Sequence, residues 1–270
     1  MTRLFQTLKS FAKIVLQSRP VRHTTTRKGG RIIVMGNGPS LNETIAEHLD
    51  TLKTTPTVAV NFAALAPIFF EIKPTYYVIA DPHFFKDGDN GGNLDLLREA
   101  LKRVDWDMDI FVPVQNLKSA RRHYPNLKLR PFNFIGLEGY DSIIHRAYSL
   151  RLGMPRPRNV LIPAIMLAIG EGYDEIVITG ADHSWMKTIS VTDDNEVVSI
   201  QPHFYKENEK EEKRIRHDYR GRHLHEIVES FAIAFRSYHD IARYAARRKV
   251  AILNATPDSF IDAFPRIKLQ

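Results

Sequence analysis

A turn between an apolar run and a helical pattern is the part of the sequence with the clearest potential for chemistry. It follows Arg31–Met35 and consists of Gly36, Asn37, Gly38, Pro39 and Ser40. Two glycines allow a tight turn, and the following helix would present free N–H groups and a partial positive charge. Ser40 and Glu43 have the spacing of a capping box. The turn therefore predicts a phosphate or nucleotide site, although a plain strand-to-helix connection is the alternative.

The elements that would position this turn follow from short apolar runs separated by helical patterns. Helices are predicted at 42–53, 93–103, 160–171 and 225–247, and strands at 31–35, 57–61, 76–80, 109–113, 175–179 and 250–254. Strands that alternate with helices favour a Rossmann-like α/β fold, a mostly parallel sheet with helices on both faces. The segments 188–191 and 196–200 indicate an inserted β-hairpin. The charged segment 206–222 is either a solvated loop or an active-site lid.

Composition and charge exclude several classes of protein. The chain of 270 residues has no cysteine, which excludes disulfides, a thiolate metal site and a cysteine nucleophile. Residues 1–31 contain eight Lys and Arg and no acid, whereas the remaining chain carries 30 basic and 31 acidic residues. The body is therefore close to neutral, and we expect no nucleic-acid partner.

Residues 1–30 are predicted to be a basic amphipathic leader helix followed by a polar linker, before a single transferase domain at 31–270. One face of the helix is apolar and the other carries Arg3, Lys9 and Lys13. This pattern is typical of a helix on an anionic membrane surface, but packing against the domain or a partner subunit is equally compatible. Because the lysines interrupt the apolar run, we expect a cytoplasmic protein, peripheral on the inner face of the membrane if the helix binds lipid.

The motif Gly-Asn-Gly-Pro-Ser-Leu at 36–41, with Asn61 at the end of the second strand, resembles the bacterial sialyltransferases of glycosyltransferase family 42. It also resembles the related domain of unknown function 115, which includes 6-hydroxymethylpterin diphosphokinases. A second block, 164–182, is similar to the helix–strand–Gly-x-Asp unit of both groups, and the turn at Pro257–Ser259 adds a further match. The resemblance spans about residues 31–264.

The resemblance implies which residues would bind the nucleotide. Gly36 to Ser40 would approach the phosphate and ribose, and Asn61 would hydrogen-bond the nucleotide. The sequence departs from the family pattern at three places, so that the contacts to sugar and base would differ there. The residues at these three places are Asp81, where the family has Asn; the stretch from Arg156 to Asn159, similar to the family's Arg-x-Thr-Ser but without its hydroxyls; and His183 and Ser184 after Gly180 and Asp182, where the family has aromatic residues.

The resemblance also implies a general base at the end of the charged segment. Tyr219 and His223 are similar to the family's Tyr and His pair, with one extra residue between them, and His225 is the rival base. An imidazole suits this role because its pKa lies near neutrality. Any one of these histidines could instead be an ordinary surface or packing residue.

The sequence as a whole predicts an inverting glycosyltransferase of bacterial surface-glycan synthesis that requires no cofactor. Its donor would be a nucleotide-activated sugar, in the first place an acidic sugar linked to cytidine monophosphate, and its acceptor a glycan. The alternative is a diphosphokinase-like transferase that uses Mg²⁺ and ATP, with Asp81 and Asp182 as metal ligands. A membrane-tethered nucleotide-binding scaffold is a third hypothesis. A homo-oligomer is compatible with each of them.

Overall fold

The computed structural model describes residues 2–21, 28–87, 92–199 and 221–270. Its centre is a seven-stranded, fully parallel sheet in the order β5-β4-β3-β2-β1-β6-β9. The strands are β1 (Arg31–Met35), β2 (Thr57–Val60), β3 (Tyr76–Val78), β4 (Asp109–Pro113), β5 (Lys128–Phe132), β6 (Glu175–Thr179) and β9 (Ala251–Asn254), and an antiparallel hairpin is formed by β7 (Ile189–Val191) and β8 (Val197–Ser199). The Rossmann-like α/β fold predicted from the sequence is thus confirmed.

Helices cover both faces of the sheet, because central strands that are apolar on both sides need partners on both sides. The helices are α1 (Arg3–Gln17), α2 (Leu41–Thr54), α3 (Phe69–Ile72), α4 (Asn93–Lys102), α5 (Leu117–His123), α6 (Asp141–Ser149), α7 (Leu161–Glu171) and α8 (Leu224–Arg248). Helices α2 to α5 pack with one set of strand side chains, including Ile33 and Val177. Helices α6 to α8 pack with the alternate set, including Ile32 and Ile178. One sheet therefore separates two apolar cores.

The order of the strands reverses between β1 and β6. From β1 the chain proceeds outward through β2 to β5, and then returns to place β6 on the other side of β1. Register pairs Ile33 of β1 with both Thr57 of β2 and Val177 of β6. In open parallel sheets, ligands bind outside the carboxyl ends of the strands at such a reversal. The turn at residues 36–40 lies at this point.

The sequence prediction missed strand β5 and the helices α3, α5 and α6. Strand β5 lies at the edge of the sheet, contains Pro131, and is buried only at Phe132, so it lacks the continuous apolar run of the central strands. The hairpin is confirmed, while β2 and β3 end one and two residues earlier than predicted. Of the predicted lid, residues 206–220 lie outside the described part of the chain.

Helix α1 packs against the body through its polar side. Ser10 Oγ donates to the carbonyl oxygen of Glu138 at 2.7 Å, and Lys13 Nζ donates to that of Gly136 at 2.8 Å. Thr7 Oγ1 accepts a hydrogen bond from the Tyr140 backbone N–H at 3.0 Å. The large apolar side chains of the helix, apart from partly buried Ile14, point away from the body. In the described ranges, no helix combines the length and the apolar character needed to cross a membrane.

Candidate functional site

The backbone of the turn after β1 is in direct contact with the backbone of the turn after β6. The Gly36 N–H donates to Thr179 O at 2.7 Å, and the Gly38 N–H donates to Gly180 O at 2.8 Å. A Cβ atom on Gly36 would lie 2.3 Å from Gly180 O, and one on Gly38 would lie 1.9 Å from Asp182 Oδ2. The two glycines are therefore needed for the contact between the turns, whether or not a ligand approaches them.

The N-terminus of α2 is occupied by a carboxylate from the protein itself. Ser40 Oγ donates to Asp182 Oδ2 at 2.7 Å, and the Ser40 N–H donates to Asp182 Oδ1 at 3.3 Å. The predicted capping box is wrong, because the Ser40 side chain accepts no hydrogen bond from the first turn of its own helix. Asp182 meets the positive end of the helix instead. A phosphate placed directly at this end would approach that carboxylate.

Two amide oxygens at the carboxyl edge have no hydrogen-bond partner in the described structure, those of Asn37 and Asn61. The Asn37 side chain is oriented by its Nδ2, which donates to Val60 O at 3.1 Å and so leaves Oδ1 as the unpaired acceptor. Asn61 has a φ of 48°, and its backbone is held by the Val78 carbonyl and the Tyr77 hydroxyl. Buried polar atoms are normally paired, so each of these two oxygens can still accept a hydrogen bond.

A buried polar chain joins β6 to α7 and α8 beside this edge. The imidazole of His183 is buried, and its Nε2 lies 2.6 Å from Tyr238 Oη, which donates to Asn159 Oδ1 at 2.9 Å. Asn159 Oδ1 also accepts from the Leu161 N–H at 3.0 Å. Burial lowers the pKa of His183 to about 3. The imidazole is therefore neutral and faces the core, while Asn159 Nδ2 is a buried donor that has no hydrogen-bond partner among the described residues.

An arginine cluster lies near the start of α8. Desolvation, followed by repulsion from Arg156 and Arg222, lowers the pKa of Arg158. Because a guanidinium stays charged in proteins, the three side chains concentrate positive charge. Glu138 Oε2 lies 3.8 Å from Arg156 Nη1. Of the three, only Arg156 was predicted as a site residue from the sequence, although the spacing Arg156-Pro-Arg158 indicates a pair.

The two candidate bases lie at the first turn of α8, directly after Arg222. The backbone N–H of His223 donates to Glu226 Oε2 at 2.8 Å, so the histidine begins the helix. The rings of His223 and His225 are stacked, with centroids 5.8 Å apart, and both residues are exposed. Tyr219, the third predicted catalytic residue, lies outside the described residues. Both imidazoles thus lie within three residues of Arg222, one member of the arginine cluster.

The remaining predicted residues lie apart from one another. Asp81 is exposed after β3, where its Oδ1 accepts from the His83 N–H at 2.8 Å. Ser184 begins a short 3₁₀ turn, and its carbonyl oxygen accepts from the Lys187 N–H at 2.9 Å. Across the described residues there is no group of three or more His, Asp or Glu side chains placed to hold a metal ion.

Comparison with known protein families gives no match, and neither does comparison with curated proteins. Among solved structures, the chain is similar to the MAf glycosyltransferase from Magnetospirillum magneticum AMB-1, with a TM-score of 0.53 and 10% sequence identity. The alignment covers 99% of this chain but only 38% of that structure. The similarity supports a glycosyltransferase-like fold for the chain.

Proposed function

We propose that the protein is a glycosyltransferase that binds a nucleotide-activated sugar across the carboxyl edge of its sheet. The observation that carries this proposal is the pair of unpaired, buried amide oxygens on Asn37 and Asn61, at the ends of adjacent strands beside the strand-order reversal. The similarity in fold to a glycosyltransferase supports it.

The polar and charged groups on the two sides of the edge favour a particular class of sugar donor. Beyond the ends of β1 and β2 the unpaired oxygens of Asn37 and Asn61 are acceptors, and beyond β6 lies the carboxylate of Asp182, which already accepts from Ser40. Ribose hydroxyls and the amino group of cytosine are donors that would satisfy them. Toward α8 the charge is positive, from Arg156, Arg158 and Arg222. A phosphate and the carboxylate of an acidic sugar would be bound there, which suits a sugar linked to cytidine monophosphate.

The proposed reaction is a single displacement with inversion. An acceptor hydroxyl oxygen attacks the anomeric carbon, the bond from that carbon to the phosphate oxygen breaks, and the nucleotide leaves with the electron pair. His223, or His225 beside it, takes the proton of the attacking hydroxyl. The arginine cluster stabilises the negative charge that develops on the departing phosphate.

The first test removes one unpaired oxygen without removing a bond within the protein. Asn61→Gly keeps a residue that accepts positive φ, and the lost Oδ1 has no partner among the described residues. We expect the Kd for cytidine monophosphate to rise about tenfold, the effect of one lost hydrogen bond. Isothermal titration calorimetry measures it, and the melting temperature should change little.

Asn195→Gly is the matched control, since Asn195 also has positive φ, at 60°, but lies in the turn of the hairpin and not at the end of a strand of the parallel sheet. Its affinity should equal that of the wild type. Equal affinities in all three proteins would show that the Asn61 oxygen does not bind the nucleotide, and the proposed site would then be rejected.

A further inference from the structure

The side of α1 that faces away from the body is an unpartnered apolar surface. Leu4, Phe5, Leu8, Phe11, Val15 and Leu16 are each between 53% and 71% exposed, and we call these six residues the α1 face. Exposed apolar patches of this kind mark interaction sites. An amphipathic helix normally turns its apolar side inward, whereas here the hydrogen bonds of Ser10 and Lys13 hold the polar side against the body.

The geometry of this attachment is specific. A Cβ on Gly139, whose φ is +146°, would lie 2.2 Å from Thr7 Oγ1, so the helix packs against a position where only glycine fits. The backbone carbonyl of Glu138 accepts the hydrogen bond from Ser10, and the side chain of Glu138 lies beside Arg156. The attachment therefore places the buried side of α1 beside Arg156 of the arginine cluster and leaves the α1 face pointing outward in a defined direction.

Charge decides between a lipid surface and a second copy of the chain. Exposed Arg3, Lys9 and Arg19 border the α1 face, and residues 1–31 contain no acid. Two α1 faces packed around a twofold axis would bring these like charges together. A bilayer with anionic headgroups would instead attract every one of them while its acyl region receives the apolar side chains.

We propose that the α1 face is a docking surface for an anionic lipid bilayer. Docking through this surface brings the carboxyl edge of the sheet, with its arginine cluster, close to the membrane. The inference does not depend on the sugar donor or on the reaction proposed above.

Vesicle sedimentation tests the proposal on the full chain. Wild type should bind vesicles of phosphatidylcholine with phosphatidylglycerol, bind pure phosphatidylcholine weakly, and dissociate as salt is added. Leu8→Glu with Leu16→Glu should lower the partition coefficient about tenfold or more. The matched control is Leu96→Glu with Leu150→Glu, two leucines that are 51% and 60% exposed elsewhere on the surface, and it should bind as wild type does.

Site-specific labelling supplies a second measurement, because the protein has no cysteine of its own. An environment-sensitive fluorophore on Leu16→Cys should shift to the blue on anionic vesicles, and the same label on Leu96→Cys should not. Equal binding by both double variants, or no shift at residue 16, would overturn the proposal. A wild-type dimer that only the α1-face variant dissociates, in the absence of vesicle binding, would assign the face to a second copy.

Discussion

Gly38 lies where the turns after β1 and β6 cross, and replacing its hydrogen by a methyl group should destabilise the protein. The added Cβ would meet the Asp182 carboxylate at 1.9 Å and Gly180 O, a backbone atom, at 2.8 Å. We expect Gly38→Ala to lower the free energy of unfolding by about 1–3 kcal/mol, as overpacking usually does. Urea denaturation without any ligand measures this loss.

Gly170→Ala serves as its control. Gly170 lies within α7, and a Cβ there would make only ordinary contact, 3.5 Å from the Arg151 side chain. Alanine favours a helix over glycine by about 0.5–1 kcal/mol, so this variant should be neutral or more stable. A Gly38→Ala variant as stable as wild type would mean that the turns separate at little cost.

His183 should make stability depend on pH. Burial puts its folded-state pKa at about 3, below the value of about 6.5 expected in the unfolded chain. Protons therefore bind the unfolded state preferentially, so the stabilisation is complete above pH 6.5 and is lost as pH falls toward 3. Between pH 7 and pH 5 this single group should lower the free energy of unfolding by about 2 kcal/mol.

The comparison of two variants isolates this contribution. His183→Asn replaces the imidazole by a side chain that does not titrate in this range, in a residue that tolerates the φ of 51°. This variant should lose the contribution of His183 to the pH dependence of stability. Tyr238→Phe removes the hydroxyl at 2.6 Å from Nε2 but leaves the imidazole buried, so this variant should keep the pH dependence of the wild type. Urea denaturation at pH 7 and at pH 5 measures how much the free energy of unfolding of each protein changes with pH. If the free energy of unfolding of His183→Asn changes with pH as much as that of the wild type, the pH dependence belongs to other groups.

At the scale of elements, edge strand β5 is held to α7 by buried charges. Arg130 Nη1 and Nη2 donate to Glu171 Oε2 and Oε1, each at 2.8 Å, and Glu171 is only 2% exposed. Arg151 Nη1 lies 3.3 Å from Glu171 as well. Arg130→Met would leave Arg151 as the ion-pair partner of that carboxylate among the described residues, and should lower the free energy of unfolding by about 3 kcal/mol. Chemical denaturation measures the loss.

Lys128→Met is the control on the same strand. Lys128 is 59% exposed and pairs with exposed Asp107 and with Asp109, a largely buried carboxylate that keeps Arg130 as a partner when Lys128 is replaced. Exposed ion pairs contribute less than about 1 kcal/mol, so this variant should remain near wild type. Comparable losses in both variants would show that burial of the Glu171 carboxylate does not set the cost.

At the scale of the whole molecule, turnover separates the glycosyltransferase from the diphosphokinase alternative. With a cytidine-monophosphate sugar, His223→Ala should lower kcat by about 10²–10⁴-fold with nucleotide affinity nearly unchanged. A chelator should have little effect. His239→Ala is the control. This histidine is exposed on the same helix, about four turns after His223, and its ring pairs with Asp262 at 3.1 Å. Steady-state kinetics measure all of these variants.

Other outcomes would lead to different assignments. Loss of turnover in His225→Ala alone would move the base by two residues, and full turnover in both histidine variants would reject the proposed base. ATP-dependent, chelator-sensitive turnover, abolished by Asp81→Ala or Asp182→Ala, would favour the diphosphokinase. Because Asp182 holds the N-terminus of α2, the stability of its variant must be measured alongside.

The sequence by itself determined most of the sheet and the place of the glycine turn after its first strand. Six of the seven parallel strands are visible as short apolar runs. Five of these are central strands, which are buried on both faces and must be apolar at nearly every position, and the sixth is the apolar edge strand β9. The other edge strand, β5, was missed because it contains Lys128, Arg130 and Pro131 and has no continuous apolar run. The glycine turn is visible because tight backbone turns restrict residue type locally.

The tertiary structure alone decided which polar groups are already satisfied. Ser40 pairs with Asp182 across 142 positions of sequence, so a local capping pattern could not reveal its partner. The unpaired oxygens of Asn37 and Asn61 likewise depend on what surrounds them after folding. For α1, periodicity showed that an apolar side exists, but hydrogen bonds formed by Thr7 and Ser10 with residues 138–140 decided that the polar side would be buried. Periodicity is a property of one helix, whereas its orientation depends on the surface that it meets.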